Sequence, residues 1–186
     1  YKFKIMKVTI VGAGNVGATC ADVLAYKEVS NEIVLVDIKE GLSEGKSLDI
    51  FQKSPINLYD TKTIGSTNNY KLTKNSDVVV ITSGLPRKPG MSRDDLIDTN
   101  SKIVKSVTEN IIKYSPNCIL IIVSNPLDVM TYQAHITSKF PRERIMGMAG
   151  ILDTARYRAF ISDELKVSTK DILSLIFSDP AIESGS

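Results

Sequence analysis

Short apolar runs, largely β-branched, recur along the chain and alternate with stretches of helical spacing. The runs cover 5–11, 32–37, 62–66, 77–82, 118–123 and 144–148. Asp77-Val78-Val79-Val80-Ile81-Thr82 and Cys118-Ile119-Leu120-Ile121-Ile122-Val123 are apolar almost throughout, the pattern of strands covered on both faces. Helical spacing predicts helices over 18–26, 40–52, 95–114, 127–139 and 152–165. Leu42, Leu48 and Phe51 are the core-facing positions expected in the second of these. Leu96, Ile103, Val107 and Ile111 are those expected in the third. The Gly- and Pro-rich stretch 83–92 reads as a loop. Strands alternating with helices predict an α/β fold with a doubly wound parallel sheet. Right-handed crossovers then give the strand order 3-2-1-4-5-6. Ligands on such a sheet gather at the carboxyl ends of the strands, so chemistry is sought there.

The first strand runs straight into Gly12-Ala13-Gly14-Asn15-Val16-Gly17, a G-x-G-x-x-G turn. A helix pattern follows, then a second buried strand ending in Asp37, 20 residues after Gly17. Strand, turn, helix and acid together form a dinucleotide-binding fingerprint. Gly12 allows the tight turn, Gly14 lets the backbone approach a pyrophosphate, and Gly17 lets the helix pack on the sheet. The amide groups and positive dipole end of the helix face the phosphates. Asp37 accepts hydrogen bonds from ribose hydroxyls and repels a 2′-phosphate. The expected cofactor is therefore NAD rather than NADP.

Composition narrows the partners. With 42% hydrophobic and 24% charged residues in 186, the chain has an ordinary globular make-up. A net charge of +2 argues against nucleic acid or an anionic membrane surface as partner. No apolar run reaches the length of a membrane span. Cys20 and Cys118 have no metal-type spacing, and no metal site is expected. They read as buried thiols in a reducing compartment, which fits a cytoplasmic location.

Two loops carry further chemistry. In Gly84-Leu85-Pro86-Arg87-Lys88-Pro89-Gly90-Met91-Ser92-Arg93, two arginines stand six apart. Guanidinium groups present planar forks of donors suited to carboxylates, and such a loop can close over a bound anion. Asn125, in Val123-Ser124-Asn125-Pro126, offers an amide at a strand's carboxyl end.

The glycine turn, the Arg87–Arg93 loop, Val123–Pro126 and Leu152-Asp153-Thr154-Ala155-Arg156-Tyr157-Arg158 together resemble malate dehydrogenase, in the lactate-dehydrogenase-like branch of that family. The resemblance is collinear from about Met6 to Ile172. It implies a Rossmann NAD-binding domain over 1–150 and the start of a substrate domain over 151–186. It also implies hydride transfer between NAD and malate or oxaloacetate, a small dicarboxylate partner and a homo-oligomer. Arg156 matches the arginine that pairs with the substrate's C1 carboxylate. Arg93 matches the one that polarises the substrate carbonyl, and Arg87 the one that selects a second carboxylate. Asn125 matches a residue that binds both substrate and nicotinamide ribose. Asn100 matches a cofactor contact on the long helix, and Val123 supplies a backbone contact to NAD. Asp153 matches the acid that orients a catalytic histidine.

The resemblance also implies a departure. The family carries Gly-Gly-His-Gly-Asp about 24 residues after the carboxylate-binding arginine, where this chain has Phe177-Ser178-Asp179-Pro180-Ala181. Proline stands in the place of the acid–base histidine. The one histidine, His135, lies too far along its helix to reach a substrate. A truncated or altered chain is therefore expected, with impaired turnover. A non-catalytic NAD-binding domain or inactive subunit is the alternative. With the rest of a substrate domain absent, Tyr157, Phe160, Ile161 and Leu165 are expected to be partly uncovered and to favour self-association.

Overall fold

Strand β1 (Lys7–Val11) opens a six-stranded parallel sheet in the order β3-β2-β1-β4-β5-β6. Its partners are β2 (Glu32–Asp37), β3 (Lys62–Thr67), β4 (Val78–Ile81), β5 (Ile119–Ile122) and β6 (Ile145–Gly147). Helices α1 (Asn15–Tyr26), α2 (Leu42–Asn57), α3 (Arg93–Tyr114), α4 (Leu127–Ser138) and α5 (Gly150–Leu165) alternate with or follow them. The computed structural model describes residues 6–86 and 89–174. The topology is the doubly wound Rossmann arrangement that the strand–helix alternation predicts.

Register follows from two-faced burial. Val8 pairs with Ile33 and with Val78, and Val78 pairs with Ile119. Successive residues of a strand point to opposite faces. Val34, Val36, Val79, Ile81, Leu120 and Ile122 meet α3 and α4 on one face, through Val104, Val107, Ile111, Met130 and Ala134. Val8, Ile10, Ile33, Leu35 and Val80 meet Ala21, Ala25 and Ile50 of α1 and α2 on the other. A strand buried on both faces cannot alternate apolar and polar, which is why β4 and β5 read as continuous apolar runs.

Helix α2 departs from its expected face. Leu48 and Phe51 are 54% and 56% exposed, while Ser43, Ser47 and Ile50 are buried. Close approach is the cause. A Cβ on Gly65 of β3 would overlap the Ser43 backbone, so the helix lies against the strand through small residues. Glu44 ties the same contact, its carboxylate accepting from the Thr67 amide at 2.6 Å and the Thr67 hydroxyl at 2.9 Å. The helix also runs past the expected end at Gln52 to Asn57, with Pro55 in its last turn. It stops where Leu58 takes a left-handed conformation, φ 55°.

The chain divides into two compact units, Tyr1–Met146 and Gly147–Ser186. In the second, α5 buries only Thr154. Arg158 Nη2 donates to the Thr169 carbonyl at 2.8 Å, tying α5 to a 3-10 turn at Thr169–Asp171. Tyr157, Phe160 and Leu165 of α5 are 48%, 73% and 63% exposed, and Ile161 is half-buried. Among the described residues no helix is long and apolar enough to cross a membrane, and no cluster of potential metal ligands occurs.

Candidate functional site

The glycine turn sits at the carboxyl end of β1. Gly12 has φ +109°, and its amide donates to the Val36 carbonyl at 2.8 Å. Only glycine enters that conformation without strain. Gly17 is buried, and a Cβ there would overlap the Gly12 carbonyl oxygen, so α1 packs directly on the turn. Gly14 is different. It is exposed, and a Cβ on it would meet no protein atom within 4 Å. No internal packing requires glycine there; the bare backbone faces open space. Helix α1 begins at Asn15, earlier than expected, with Gly14 as a cap that has no side chain. Asn15 and Val16 are exposed, and Ala13 is buried. The first turn of α1 thus presents the amide-rich, positive end of the helix to that open space.

Asp37, half-buried at the end of β2, is tied to the turn. Its Oδ2 accepts from the Ala13 amide at 2.6 Å, and its Oδ1 accepts from the Lys39 amide at 2.9 Å. Each carboxylate oxygen keeps further acceptor capacity for a hydroxyl. Burial pushes the nearby Tyr70 phenol up from its ordinary pKa, and the negative charge of Asp37 adds to that shift.

Hydroxyls brace the neighbouring strand ends. Thr82 Oγ1 lies 3.2 Å from the Val11 carbonyl and 3.1 Å from that of Gly12. Ser83 Oγ donates to the Val11 carbonyl at 2.8 Å, and Ser124 Oγ donates to the Ser83 carbonyl at 2.6 Å. Sequence pattern does not single out these three; their only signal is a hydroxyl residue at, or directly after, the end of an apolar run. Asn100, on α3, is 1% exposed and joins Leu85 to Asn125 through its side-chain amide. Asn125 is exposed and Val123 half-buried.

The arginines are placed differently. Arg93, expected in the loop, is the first residue of α3. Ser92 caps that helix: its Oγ accepts from the Asp95 amide at 3.0 Å, and the Asp95 carboxylate accepts from the Ser92 amide at 3.1 Å. Arg87 lies outside the described residues, as does the 177–181 stretch. In the second unit, Asp153 and Arg156 stand one turn apart on α5 with Nη1 and Oδ1 3.4 Å apart, both exposed. The structure therefore gathers Gly12 to Gly17, Asp37, Asn100, Val123 and Asn125 at one end of the first unit's sheet. It pairs Asp153 with Arg156 in the second. His135 is exposed on α4.

The thiols differ from expectation in one respect. Cys118 is buried, and burial pushes its thiol up to about 11, with the Arg144 charge opposing. Cys20 is only half-buried, because α1 presents it at the margin of its packed face. Burial raises its thiol too.

Comparison with known proteins places this arrangement. Residues 6–147 match the family model for the lactate/malate dehydrogenase NAD binding domain. A malate dehydrogenase of Cytophaga hutchinsonii is 71% identical over 171 residues, which cover 92% of this chain and 55% of that protein. The solved malate dehydrogenase of Salinibacter ruber superposes with a TM-score of 0.86 at 52% identity, over 91% of this chain and 53% of that one. A lactate dehydrogenase of Cryptosporidium parvum, solved with lactic acid and nicotinamide adenine dinucleotide, superposes with a TM-score of 0.86 at 35% identity. That match covers 93% of this chain and 54% of the other. The chain thus spans about half the length of the curated relatives it matches. The open space at Gly14 fits the backbone approach that a pyrophosphate needs. The chain belongs to the lactate/malate dehydrogenase family, carries its NAD-binding domain, and has NAD as its cofactor.

Proposed function

We propose that this chain is the cofactor-binding half of an NAD-dependent malate dehydrogenase, acting on malate and oxaloacetate. One observation carries the reading most directly. The turn is closed by protein at Gly17 and left open at Gly14, with Ala13 anchored to the Asp37 carboxylate. In this reading Gly12 to Gly17 and the start of α1 hold the pyrophosphate, and Asp37 accepts from the adenosine ribose. Its charge selects NAD over a 2′-phosphorylated cofactor. Val123 and Asn125 hold the nicotinamide end, and Asn125 also meets the substrate. When bound, NAD supplies a hydride acceptor and donor at C4 of its nicotinamide.

Arg156 pairs with one substrate carboxylate, and Arg87 with the second. Arg93, fixed at the start of α3 by the Ser92–Asp95 cap, faces the negative charge that develops on the substrate oxygen. Asp153 is the acid that would orient an acid–base histidine. His135, exposed on α4, is the only histidine in the chain and does not serve this step. Residues 1–150 form the NAD-binding domain and 151–186 the start of a substrate domain. A cytoplasmic location and a homo-oligomer, associated through the exposed face of α5, belong to the same reading.

The test separates binding from turnover. NADH fluorescence on titration with this 186-residue chain is expected to show saturable binding. Oxaloacetate reduction is expected near background, since no acid–base histidine is present. Absence of NADH binding defeats the reading. Turnover in the ordinary enzymatic range, about 1–1,000 per second, defeats the requirement for that histidine. The lone, distant His135 equally favours a second reading, a non-catalytic NAD-binding subunit. Restored turnover when a complete partner chain is added, without heterodimers forming, would count against it.

A further inference from the structure

Leu85 lies at the stem of the loop that leaves β4, and it is 41% exposed. Exposed loop backbone normally pairs with water. Here both backbone groups of Leu85 go to one buried side chain. The Leu85 amide donates to Asn100 Oδ1 at 2.8 Å, and Asn100 Nδ2 donates to the Leu85 carbonyl at 3.2 Å. The remaining proton of Nδ2 goes to the Asn125 carbonyl at 2.7 Å. Asn100 therefore uses an acceptor and both donors of its amide on backbone. It does so at 1% exposure, in the middle of a helix whose other buried residues are Val104, Val107, Thr108 and Ile111. Gly84 borders the same amide: a Cβ there would lie 3.4 Å from Asn100 Oδ1, an ordinary van der Waals contact.

A side-chain amide is the one group of this length that matches the donor and acceptor of a single residue at once. Leucine fills the same volume but pairs with neither. Aspartate keeps the acceptor but faces two carbonyl oxygens with negative charge. The chemistry at this position is thus specified by the backbone it holds, and an unpaired buried partner is costly.

We infer that Asn100 is a positioning residue: its amide clasps the stem of the Leu85 loop to the Asn125 backbone and so sets the nicotinamide end of the site. The inference rests on the role proposed above for Asn125. Asn100 acts on the cofactor through the two segments that it joins. The pyrophosphate and adenosine end, built from Gly12 to Gly17 and Asp37, has no hydrogen bond to Asn100 and is independent of the clasp.

Comparing NADH with ADP-ribose, which lacks the nicotinamide, tests this. Asn100→Ala is expected to weaken NADH about tenfold and to leave ADP-ribose affinity within about twofold. Asn100→Asp is expected to weaken NADH more than Asn100→Ala does, with ADP-ribose again spared. Equal loss of both ligands, or loss of neither, overturns the clasp. Binding of neither ligand by the unmutated chain overturns the underlying site reading instead. Should the variants fail to fold, hydrogen exchange on the unmutated chain decides. A Leu85 amide that exchanges as slowly as a strand amide supports the clasp, and one that exchanges like an open loop amide overturns it.

Discussion

The sheet end of the first unit and helix α5 of the second both carry residues assigned to one reaction, yet they are built in opposite ways. At the sheet end, backbone and buried groups set the geometry: Gly17 against Gly12, Ala13 on Asp37, Asn100 on Leu85 and Asn125. On α5, Asp153 and Arg156 stand on a helix with one buried residue, Thr154, and with Ile151 and Phe160 77% and 73% exposed. The difference teaches that the proposed cofactor site is built within the first unit, whereas Arg156 of α5 has no packed surround within its own unit. Disturbing the first region should cost NADH binding, and stability as well wherever protein packs on the altered residue. Disturbing the second should cost neither.

The largest effect expected is at Gly17. Gly17→Ala drives a Cβ into the Gly12 carbonyl and should cost about 3 kcal/mol in denaturant unfolding, with loss of NADH binding. Gly14→Ala, three positions earlier in the turn, meets nothing within 4 Å. It should cost no more than about 1 kcal/mol while weakening NADH by roughly tenfold or more. Equal destabilisation by the two would erase the distinction between a glycine kept for packing and one kept for a ligand.

Next comes pH. The Cys118 thiol is raised to about 11 by burial, so the thiolate is disfavoured in the folded chain. Its stabilising share is full below the ordinary thiol range and is lost as pH rises toward about 11. Unfolding free energy should therefore fall across that window, and Cys118→Val should flatten part of the slope. An unchanged slope would show that the core around β5 opens to solvent.

Smaller effects follow at the two arginines. Ser92→Ala removes the cap that seats Arg93 and should cost roughly 1 kcal/mol in thermal or denaturant unfolding. Arg156→Ala should change stability by less than about 0.5 kcal/mol, because its pair with Asp153 is exposed and 3.4 Å long. NADH affinity should stay as it was. A drop of several degrees in Tm for Arg156→Ala would sink the comparison, since it would mean that α5 is held by its charges.

Much of this is legible in the sequence. Burial on both faces makes β4 and β5 apolar throughout, and their shortness and β-branched content separate them from a buried helix, so the strands are legible and the right-handed crossover rule gives their order. The turn was legible because its glycines answer to backbone geometry, a local property. Helix α2 is only partly legible: Leu42 packs against the core as its spacing predicts, but Leu48 and Phe51 do not, because hydrophobic spacing assumes that the whole apolar stripe faces the core. Against β3 the controlling fact is the distance between two backbones, which admits only Ser43, Ser47 and Gly65. That distance is not written in any one segment.

The chain's sequence alone determined the parallel α/β architecture, the strand order and the dinucleotide turn, because each follows from local propensity and the period of burial. Tertiary structure alone decided which groups Asn100 holds, that Asp37 anchors Ala13, that Arg93 opens a helix, and that Cys20 sits at a margin. Hydrogen bonds such as Asn100 to Asn125 join residues 25 apart. Their partners are chosen by how elements pack, and packing is a property of the whole first unit rather than of any stretch within it.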